Sequence, residues 1–152
     1  MAYDTAQARQ ELLDEVGDAT DDLAAALAAL GAAFEALDDY NADRLEEQLF
    51  RPVQAAYGRA RRTHSEFAGR YGLPNRSFVP APPGHPSQGV KGFIDGAVTA
   101  VGRADGRLAQ LQDSMRPVDV GDADLRDGLS EVRRLVGDVP RRASELVRGL
   151  GR

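Results

Sequence analysis

Apolar residues recur along this chain in alternating steps of four and three positions, a spacing that keeps them on one face of an α-helix. Four separate series show the pattern. The first has no polar member and runs through Leu12, Val16, Ala19, Leu23, Ala26, Leu30, Ala33 and Leu37. The second is less regular and runs through Leu49, Val53, Ala56, Ala60, Thr63 and Phe67. Each series predicts one long amphipathic helix that buries this face.

The third and fourth series are also free of polar members. The third runs through Val90, Ile94, Ala97, Val101, Ala104, Leu108, Leu111 and Met115. The fourth runs through Leu125, Leu129, Val132, Val136, Val139, Ala143, Leu146 and Leu150. Strands prefer β-branched and aromatic residues, yet only 6% of the chain is aromatic and Trp is absent. The sequence therefore predicts an all-α fold.

Local signals at the ends of the series indicate the helix boundaries. The predicted caps of the four helices are Asp4 or Thr5, Asn41, Ser87 and Asp122, whose side-chain oxygens can accept hydrogen bonds at helix N-termini. Gly72 can adopt the left-handed conformation that ends a helix. We therefore predict a single domain, residues 1–152, with four helices at about residues 5–38, 42–71, 88–115 and 122–150.

Prolines modify this pattern. Pro52 and Pro140 lie inside predicted helices, where each removes a backbone donor and crowds the preceding turn, so kinks are expected there. The fourth series keeps its phase through Pro140, which favours a kink over a complete stop. Residues 73–87 contain five prolines and form a predicted loop. This loop is either a stiff strap that tucks Phe78 and Val79 over the end of the bundle or a polyproline segment presented to a partner.

The connections between the helices predict their arrangement. The first and third connections are short, which makes the helices that they join antiparallel neighbours. The sequence thus predicts an antiparallel up-down-up-down four-helix bundle. Alanine recurs at every seventh position of the first helix, so facing helices can approach closely. Such a dense core argues against a large internal cavity and leaves the kinks at Pro52 and Pro140 as places for an apolar ligand pocket.

Composition restricts the chemistry and the compartment. The chain has no cysteine, which excludes disulfides, thiolate nucleophiles and Cys-ligated metal sites. Its N-terminus lacks the basic and apolar regions of a signal peptide. No apolar run approaches the ~20 residues of a membrane span. A cytoplasmic protein without a membrane span is therefore expected.

The net charge of −5 is distributed unevenly. Residues 1–40 carry ten acids and one basic residue, Arg9, whereas the rest of the chain carries 18 basic and 14 acidic residues. We expect the acidic first helix to lie beside arginine-bearing helices of its own bundle, with an external basic partner as the alternative.

No metal ion or cofactor is predicted. A carboxylate-bridged di-metal site in a helical bundle needs Glu-x-x-His pairs, but Arg61 and Pro82 stand three residues before His64 and His85. The four apolar series contain no carboxylate, and no serine has the partners of a nucleophilic catalytic set. These patterns indicate a protein that is not an enzyme.

The second helix is basic. Its arginines are Arg51, Arg59, Arg61, Arg62 and Arg70. Glu66 is four residues from both Arg62 and Arg70, a spacing that allows ion pairs within a helix. We therefore interpret the arginines as a solvated and largely paired face, which makes a nucleic-acid partner the less favoured interpretation.

His64 lies at the margin of the predicted core beside Phe67 and Tyr71 and is interpreted as a packed boundary histidine. Arg59 and His64 also form an Arg-x4-His spacing, which resembles that of the RNA-cleaving helical domains called HEPN. The resemblance covers two residues and implies an RNA-directed ribonuclease or binder that uses Arg59, Arg62 and His64. Five helical steps of 100° place the side chains of Arg59 and His64 about 140° apart.

Glycines in the third helix lie off its apolar series, toward the outer faces. They are Gly89, Gly92, Gly96, Gly102 and Gly106. An exposed glycine within a helix costs up to about 1 kcal/mol relative to alanine, and close approach of another helix would offset this cost. We predict a non-enzymatic helical-bundle module for protein–protein interaction or scaffolding, which forms a homo-oligomer through this surface. The alternatives are the RNA-directed protein described above and a binder of small apolar ligands.

Overall fold

The computed structural model describes residues 4–82 and 86–150 of the chain. Most of these residues are helical and none of them lies in a strand, so the all-α prediction is confirmed. The helices are α1 (Thr5–Glu35), α2 (Asp39–Leu45), α3 (Arg51–Tyr71), α4 (Gly89–Asp113), α5 (Arg116–Asp119), α6 (Ala123–Val136) and α7 (Val139–Leu150). A π-helical segment, Glu46–Phe50, joins α2 to α3, and a 3₁₀ turn, Pro86–Gln88, precedes α4.

Three residues of the predicted loop, Pro83, Gly84 and His85, lie outside the described residues. In the two stretches on either side of them, no helix has the length and apolar character that crossing a membrane requires.

Side-chain caps begin three of the helices. Asp4 and Asp122 accept hydrogen bonds from backbone N–H groups in the first turns of α1 and α6, as the sequence predicted. For the second predicted helix the cap is Asp38 and not Asn41, whose backbone N–H donates to the Asp38 carboxylate. This stretch therefore begins earlier than predicted, at α2. Gly72 ends α3 with a φ of 65°, in the left-handed region.

At Pro52 the helix continues, but its geometry changes. The π-helical segment precedes the proline, and the Arg51 N–H donates to the carbonyl of Glu46, five residues earlier. Pro52 has no N–H for the carbonyl of Gln48, four residues before it. That carbonyl accepts a hydrogen bond of 3.5 Å from the guanidinium of Arg142 instead. A side chain of α7 therefore satisfies the acceptor that the proline leaves free.

At Pro140 the helix predicted over residues 122–150 is divided into two. α6 ends at Val136 and α7 begins at Val139. A continuous helix would need an N–H from residue 140 to the carbonyl of Val136, and proline cannot supply it. Val136, Val139 and Ala143 are nevertheless all buried, so the apolar face continues across the break.

The four predicted apolar series form the core. All members of the first series from Leu12 to Ala33 and all members of the second series are buried. The members that differ are terminal: Leu37, Val90 and Leu150 are partly buried, and Met115 is 51% exposed. Met115 follows the end of α4 and has a φ of 65°, so its side chain leaves the helical face.

Charged contacts join α1 to α4. The carboxylate of Asp22 pairs with Arg103 and Arg107 of α4, with N–O distances of 3.5 and 2.8 Å. Asp18 lies 4.0 Å from the same Arg107 guanidinium. The acidic first helix therefore lies beside arginines of its own chain, as its charge predicts. α1 also packs on α3, α3 packs on α6, and α4 packs on α7.

Candidate binding groove between α3 and the proline-rich loop

The loop after α3 is attached to α1 by Arg76. Its guanidinium donates a hydrogen bond of 3.1 Å to the carbonyl of Gly17 and forms ion pairs with Asp18, at 3.6 Å, and with Asp21. Gly17 leaves room for this contact, because a Cβ there would lie 2.7 Å from Nη1 of Arg76. The loop is thus held against the middle of α1 by a charged side chain.

Phe78 attaches the same loop to α3. Its ring meets the His64 ring edge-on, with 5.1 Å between the ring centroids, and the Arg76 guanidinium lies 5.1 Å from its centroid. Val79, in contrast, is 71% exposed. Residues 73–82 therefore form a strap, as the sequence favoured. This strap lies along the sides of α1 and α3 instead of over an end of the helices, and Phe78 alone is tucked in.

A groove of about 860 Å³ lies between α3 and the strap. It is lined by Ala55, Gly58, Arg59, Arg61, Arg62, Ser65, Asn75, Arg76, Ser77 and Phe78. Four of these residues are arginines and none is acidic. We call this surface the arginine groove.

The three arginines that α3 contributes to the groove differ from Arg76, which pairs with Asp18 and Asp21. Arg59, Arg61 and Arg62 form no ion pair within the described parts of the chain. Their neighbours Ala60 and Thr63 are buried, which leaves positions 59, 61 and 62 on the outer side of the helix. Among the described residues, Arg61 and Arg62 therefore have no carboxylate partner. Arg59 has one neighbour on α6, because the pKa of Glu131 is lowered by the hydrogen bond from Arg134 and also by the positive charge of Arg59.

The predicted pairing through Glu66 is not formed in the described structure. Arg70 instead makes two hydrogen bonds, of 2.7 and 2.9 Å, to the carboxylate of Asp122, which also accepts one of 3.0 Å from the Tyr71 hydroxyl. Burial by itself raises the pKa of Asp122, but the hydrogen bonds from Arg70, from the backbone of α6 and from Tyr71 outweigh it, so the net pKa is lowered. Tertiary partners, and not spacing within α3, decide which arginines are paired.

His64 lies beneath the groove. It is 2% exposed, and its Nδ1 has no hydrogen-bond partner in the described structure. Burial lowers the pKa of the imidazole, and the positive charge of Arg76 lowers it further. Of the predicted polar group, Arg59 and Arg62 therefore line the groove, whereas His64 is covered by Phe78. The structure does not bring Arg59 and His64 together on one surface.

The glycine surface predicted on α4 is open in part. Gly96, Gly102 and Gly106 are exposed, and a Cβ built at each of them meets nothing within 4 Å. A Cβ at Gly92 would lie 2.9 Å from a side chain one turn earlier. Gly89 begins α4 with a φ of 71°, which is a backbone reason for a glycine. Four of the five predicted positions, Gly89 included, thus have open space beside them.

A second groove, of about 510 Å³, lies further along the strap and is apolar. It is lined by Ala24, Leu27, Ala28, Gly31, Ala32, Glu35, Tyr57, Pro80 and Ala81. The apolar surface of the molecule is therefore on the outer face of α1. Pro140, where an apolar pocket was thought possible, borders a pocket that also contains Lys91, Asp95 and Arg148.

Sequence reasoning identified part of the arginine groove. It found Arg59 and Arg62 as candidate binding residues and named Arg61 as part of the basic helix. It predicted Phe78 as a packing residue of the loop and left out Arg76. No helical spacing relates residue 76, in a loop, to residue 61, so their proximity follows from the path of the strap. The basic and aromatic residues of that loop are the one local signal that pointed to it.

Among the described residues, no group of three or more His, Asp or Glu side chains is arranged to hold a metal ion. Comparison with protein-family models, curated proteins and solved structures finds no match for this chain.

Proposed function

We propose that this protein is an antiparallel four-helix bundle, with its helices in the order up-down-down-up, that acts as a protein–protein interaction or scaffold module and not as an enzyme. Ion pairs between α1 and the α4–α5 region support the antiparallel arrangement. Glu11, near the start of α1, pairs with Arg116 at 3.3 Å, whereas Asp22, further along α1, pairs with the earlier residue Arg103. The order of partners is reversed, so α1 and α4 run in opposite directions. This supports an up-down-down-up order and not the up-down-up-down order predicted from the connections, in which the first and third helices would be parallel.

Contacts between α3 and α6 support the same arrangement. Arg70, near the end of α3, binds Asp122 at the start of α6. Thr63, about two turns earlier, lies against Gly128, which is further along α6. In this proposal α6 and α7 together provide the fourth member of the bundle.

The uncompensated arginine groove is the observation that supports a binding function. Guanidinium groups form paired hydrogen bonds with carboxylates and phosphates, and their charge does not depend on pH in the physiological range. A role in stability does not explain Arg59 and Arg62, because like charges three residues apart weaken a helix. We infer that the groove receives the anionic groups of a partner.

The strap makes the groove a preformed site. Arg76 holds it to α1 through Asp18 and Asp21, and Phe78 holds it to α3. A partner therefore meets ordered side chains and does not have to order the loop as it binds.

The aromatic residues around the groove favour an acidic protein partner over single-stranded RNA. Proteins that bind single-stranded nucleic acid stack the bases on free aromatic rings. The Tyr57 ring is covered by Arg61 at 5.3 Å, and the Phe78 ring contacts Arg76 and His64. A carboxylate-rich segment needs the guanidinium groups but no free ring.

The test is the binding of a fluorescent glutamate-rich peptide, measured by anisotropy as a function of salt. We expect binding that weakens with salt and falls at least about tenfold in the variant Arg59→Ser/Arg61→Ser/Arg62→Ser. The matched control Arg134→Ser/Arg141→Ser/Arg148→Ser has the same net charge but leaves the groove intact, and it should retain binding. Equal loss in both variants would mean that net charge, and not the groove, attracts the peptide.

The RNA alternative is tested in the same experiment with a labelled single-stranded RNA. Tighter binding of RNA than of the peptide, lost when Arg59 and Arg62 are changed, would assign the groove to RNA. A HEPN-like ribonuclease requires in addition RNA cleavage that His64→Ala abolishes. The burial of His64 leads us to expect no such cleavage.

Self-association through α4 is a second candidate, because Gly96, Gly102 and Gly106 leave open space on its outer side. Gly96→Leu/Gly106→Leu should then lower the mass of the oligomer in native mass spectrometry. Gly69→Leu, at an exposed and equally open position of α3, is the control. An unchanged mass would remove this surface from consideration.

A further inference from the structure

The turn that leads from α1 toward α3 carries the charge opposite to that of the arginine groove. Residues 35–47, which we call the acidic tip, contain six acids and one arginine. Tyr40 lies within this tip and is 70% exposed. Tyrosine is enriched at surfaces that a partner covers.

Most of the carboxylates of the tip are uncompensated. Glu35, Asp39, Asp43 and Glu47 are exposed and form no ion pair in the part of the molecule that the structure describes. Glu46, in contrast, lies 3.8 Å from Arg51. The described part of the chain therefore exposes an acidic surface with four carboxylates, and a basic groove with three arginines, that form no ion pair.

The tip cannot enter the groove of its own chain. Asp43 and Arg59 both belong to the continuous helical stretch that runs from α2 through the π-helical segment into α3. At 1.5 Å per residue, about 24 Å of helix separates them. If the carboxylates of an acidic tip complement the groove, they therefore come from another molecule.

We propose that the acidic tip of one copy of this chain docks in the arginine groove of a second copy. Carboxylates such as those of Asp39 and Asp43 pair with the guanidinium groups, and Tyr40 covers the small residues Ala55 and Gly58 in the groove wall. This assignment rests on the proposed binding function of the groove and names its partner. The evidence for it is charge complementarity. In the groove, three arginines form no described ion pair and stand beside the paired Arg76, and in the tip there are six acids with one arginine.

The separation of the two surfaces along one helical stretch defines the geometry of the pair. When two copies lie side by side in opposite directions, each tip reaches the groove of the other copy, so the same contact forms twice. This is a closed two-fold dimer, the commonest form of homo-oligomer. Long-range attraction between the two surfaces also speeds their encounter at low ionic strength.

Charge reversal provides the test. The groove variant is Arg59→Glu/Arg61→Glu/Arg62→Glu, and the tip variant is Asp39→Arg/Asp43→Arg/Glu47→Arg. Each variant alone places like charges in both contacts and should be monomeric by sedimentation velocity at about 0.1 M salt. In an equal mixture both contacts again join opposite charges, so the proposal predicts a heterodimer at least about tenfold tighter than either variant with itself.

The control reverses three arginines on α6 and α7, Arg134→Glu/Arg141→Glu/Arg148→Glu, and should leave the wild-type dimer intact. A mixture that stays monomeric, or a wild-type chain that stays monomeric at about 100 µM, would overturn the proposal. Circular dichroism of each variant establishes that the helices are retained.

The glutamate-rich peptide separates this inference from the proposed function. The tip variant should still bind the peptide, because its groove is intact, whereas the groove variant should not. A monomeric protein that binds the peptide through the groove overturns the dimer alone. A monomer that also fails to bind the peptide overturns both.

Discussion

The two sides of α3 carry the same kind of residue in different surroundings. On the side that faces α6, Arg70 forms two hydrogen bonds with Asp122. On the side that faces the strap, Arg61 and Arg62 form no ion pair in the described structure. One helix therefore has a compensated side, which contributes to the fold, and an uncompensated side, which is available to a partner.

This difference shows that the spacing of charged residues within one helix does not establish which of them form ion pairs. Arg62 and Arg70 are both four residues from Glu66, so their spacing within the helix is equivalent. Their roles differ because Asp122 reaches Arg70 from another helix, whereas no described carboxylate reaches Arg62. Unpaired charge is best identified after the tertiary neighbours are known.

The largest effect on the free energy of unfolding is expected at the contact between α3 and α6. A Cβ at Gly128 would lie 2.7 Å from Cγ2 of Thr63 and closer still to its hydroxyl oxygen. Gly128→Ala should therefore lower the free energy of unfolding by about 2–3 kcal/mol, measured by urea denaturation. Adding Thr63→Ala removes both atoms and should recover about 1 kcal/mol or more of this loss. Gly69→Ala, in open space on α3, should not destabilise the protein.

The next effect is expected at Asp122, on the same compensated side. Its carboxylate caps α6 and holds Arg70 and Tyr71, so Asp122→Ala should lower the free energy of unfolding by about 1–2 kcal/mol. Asp122→Asn retains a capping oxygen and should lose less. Similar losses in the two variants would show that the charge, and not the cap, carries the contribution.

This contribution of Asp122 depends on pH in a defined direction. Its pKa is lower in the folded protein than its usual value of 3.8, so the folded state stabilises the ionised form. The stabilisation is complete above the usual pKa and disappears as the pH falls through the folded pKa. The difference in stability between the wild type and Asp122→Ala should therefore shrink in strong acid, and a constant difference would contradict this account.

A much smaller effect on stability is expected on the uncompensated side. Arg59→Ser/Arg61→Ser/Arg62→Ser removes no described ion pair and relieves repulsion between like charges. The free energy of unfolding should stay within about 0.5 kcal/mol of the wild type, although peptide binding is lost. A loss near that of Asp122→Ala would remove the contrast between the two sides of α3.

The smallest effect on stability is expected from the titration of His64, beneath the strap. Burial lowers its pKa below the usual value of 6.5 in the folded protein, so the unfolded chain binds a proton more readily. Stability should therefore fall as the pH decreases below that value. His64→Leu should reduce this fall between pH 7 and pH 5 in thermal denaturation. An unchanged pH profile would show that other groups cause it.

Much of the fold follows from local sequence patterns. The four apolar series predicted the buried faces, including Thr63, and Asp4, Asp122 and Gly72 were correctly predicted to bound helices. The details at proline were harder to predict. Both prolines remove a backbone donor, but the structure has a π-helical segment before Pro52 and a break before Pro140. Whether a proline produces a π-helical segment or a break depends on the packing around that turn. The spacing of apolar residues carries no information about this packing.

Less of the candidate site could be predicted. Arg59 and Arg62 were identified from their density on one helix, and the strap was expected from its prolines. The position of the strap beside these arginines was not predicted, because Arg76 holds the strap on α1 and Phe78 holds it on α3. The sequence also indicated Glu66 as a partner for Arg70, whereas the actual partner is Asp122.

The sequence by itself determined which residues form helices and which faces of those helices are buried. These properties depend on neighbours three or four positions apart, and the chain specifies them directly. The tertiary structure alone decided which charges are compensated. Arg70 and Asp122 are 52 residues apart, and Arg76 and Asp21 are 55 apart. Such pairs form only when packing brings distant segments within hydrogen-bonding distance, and the arginines that packing leaves without a partner are those of the groove.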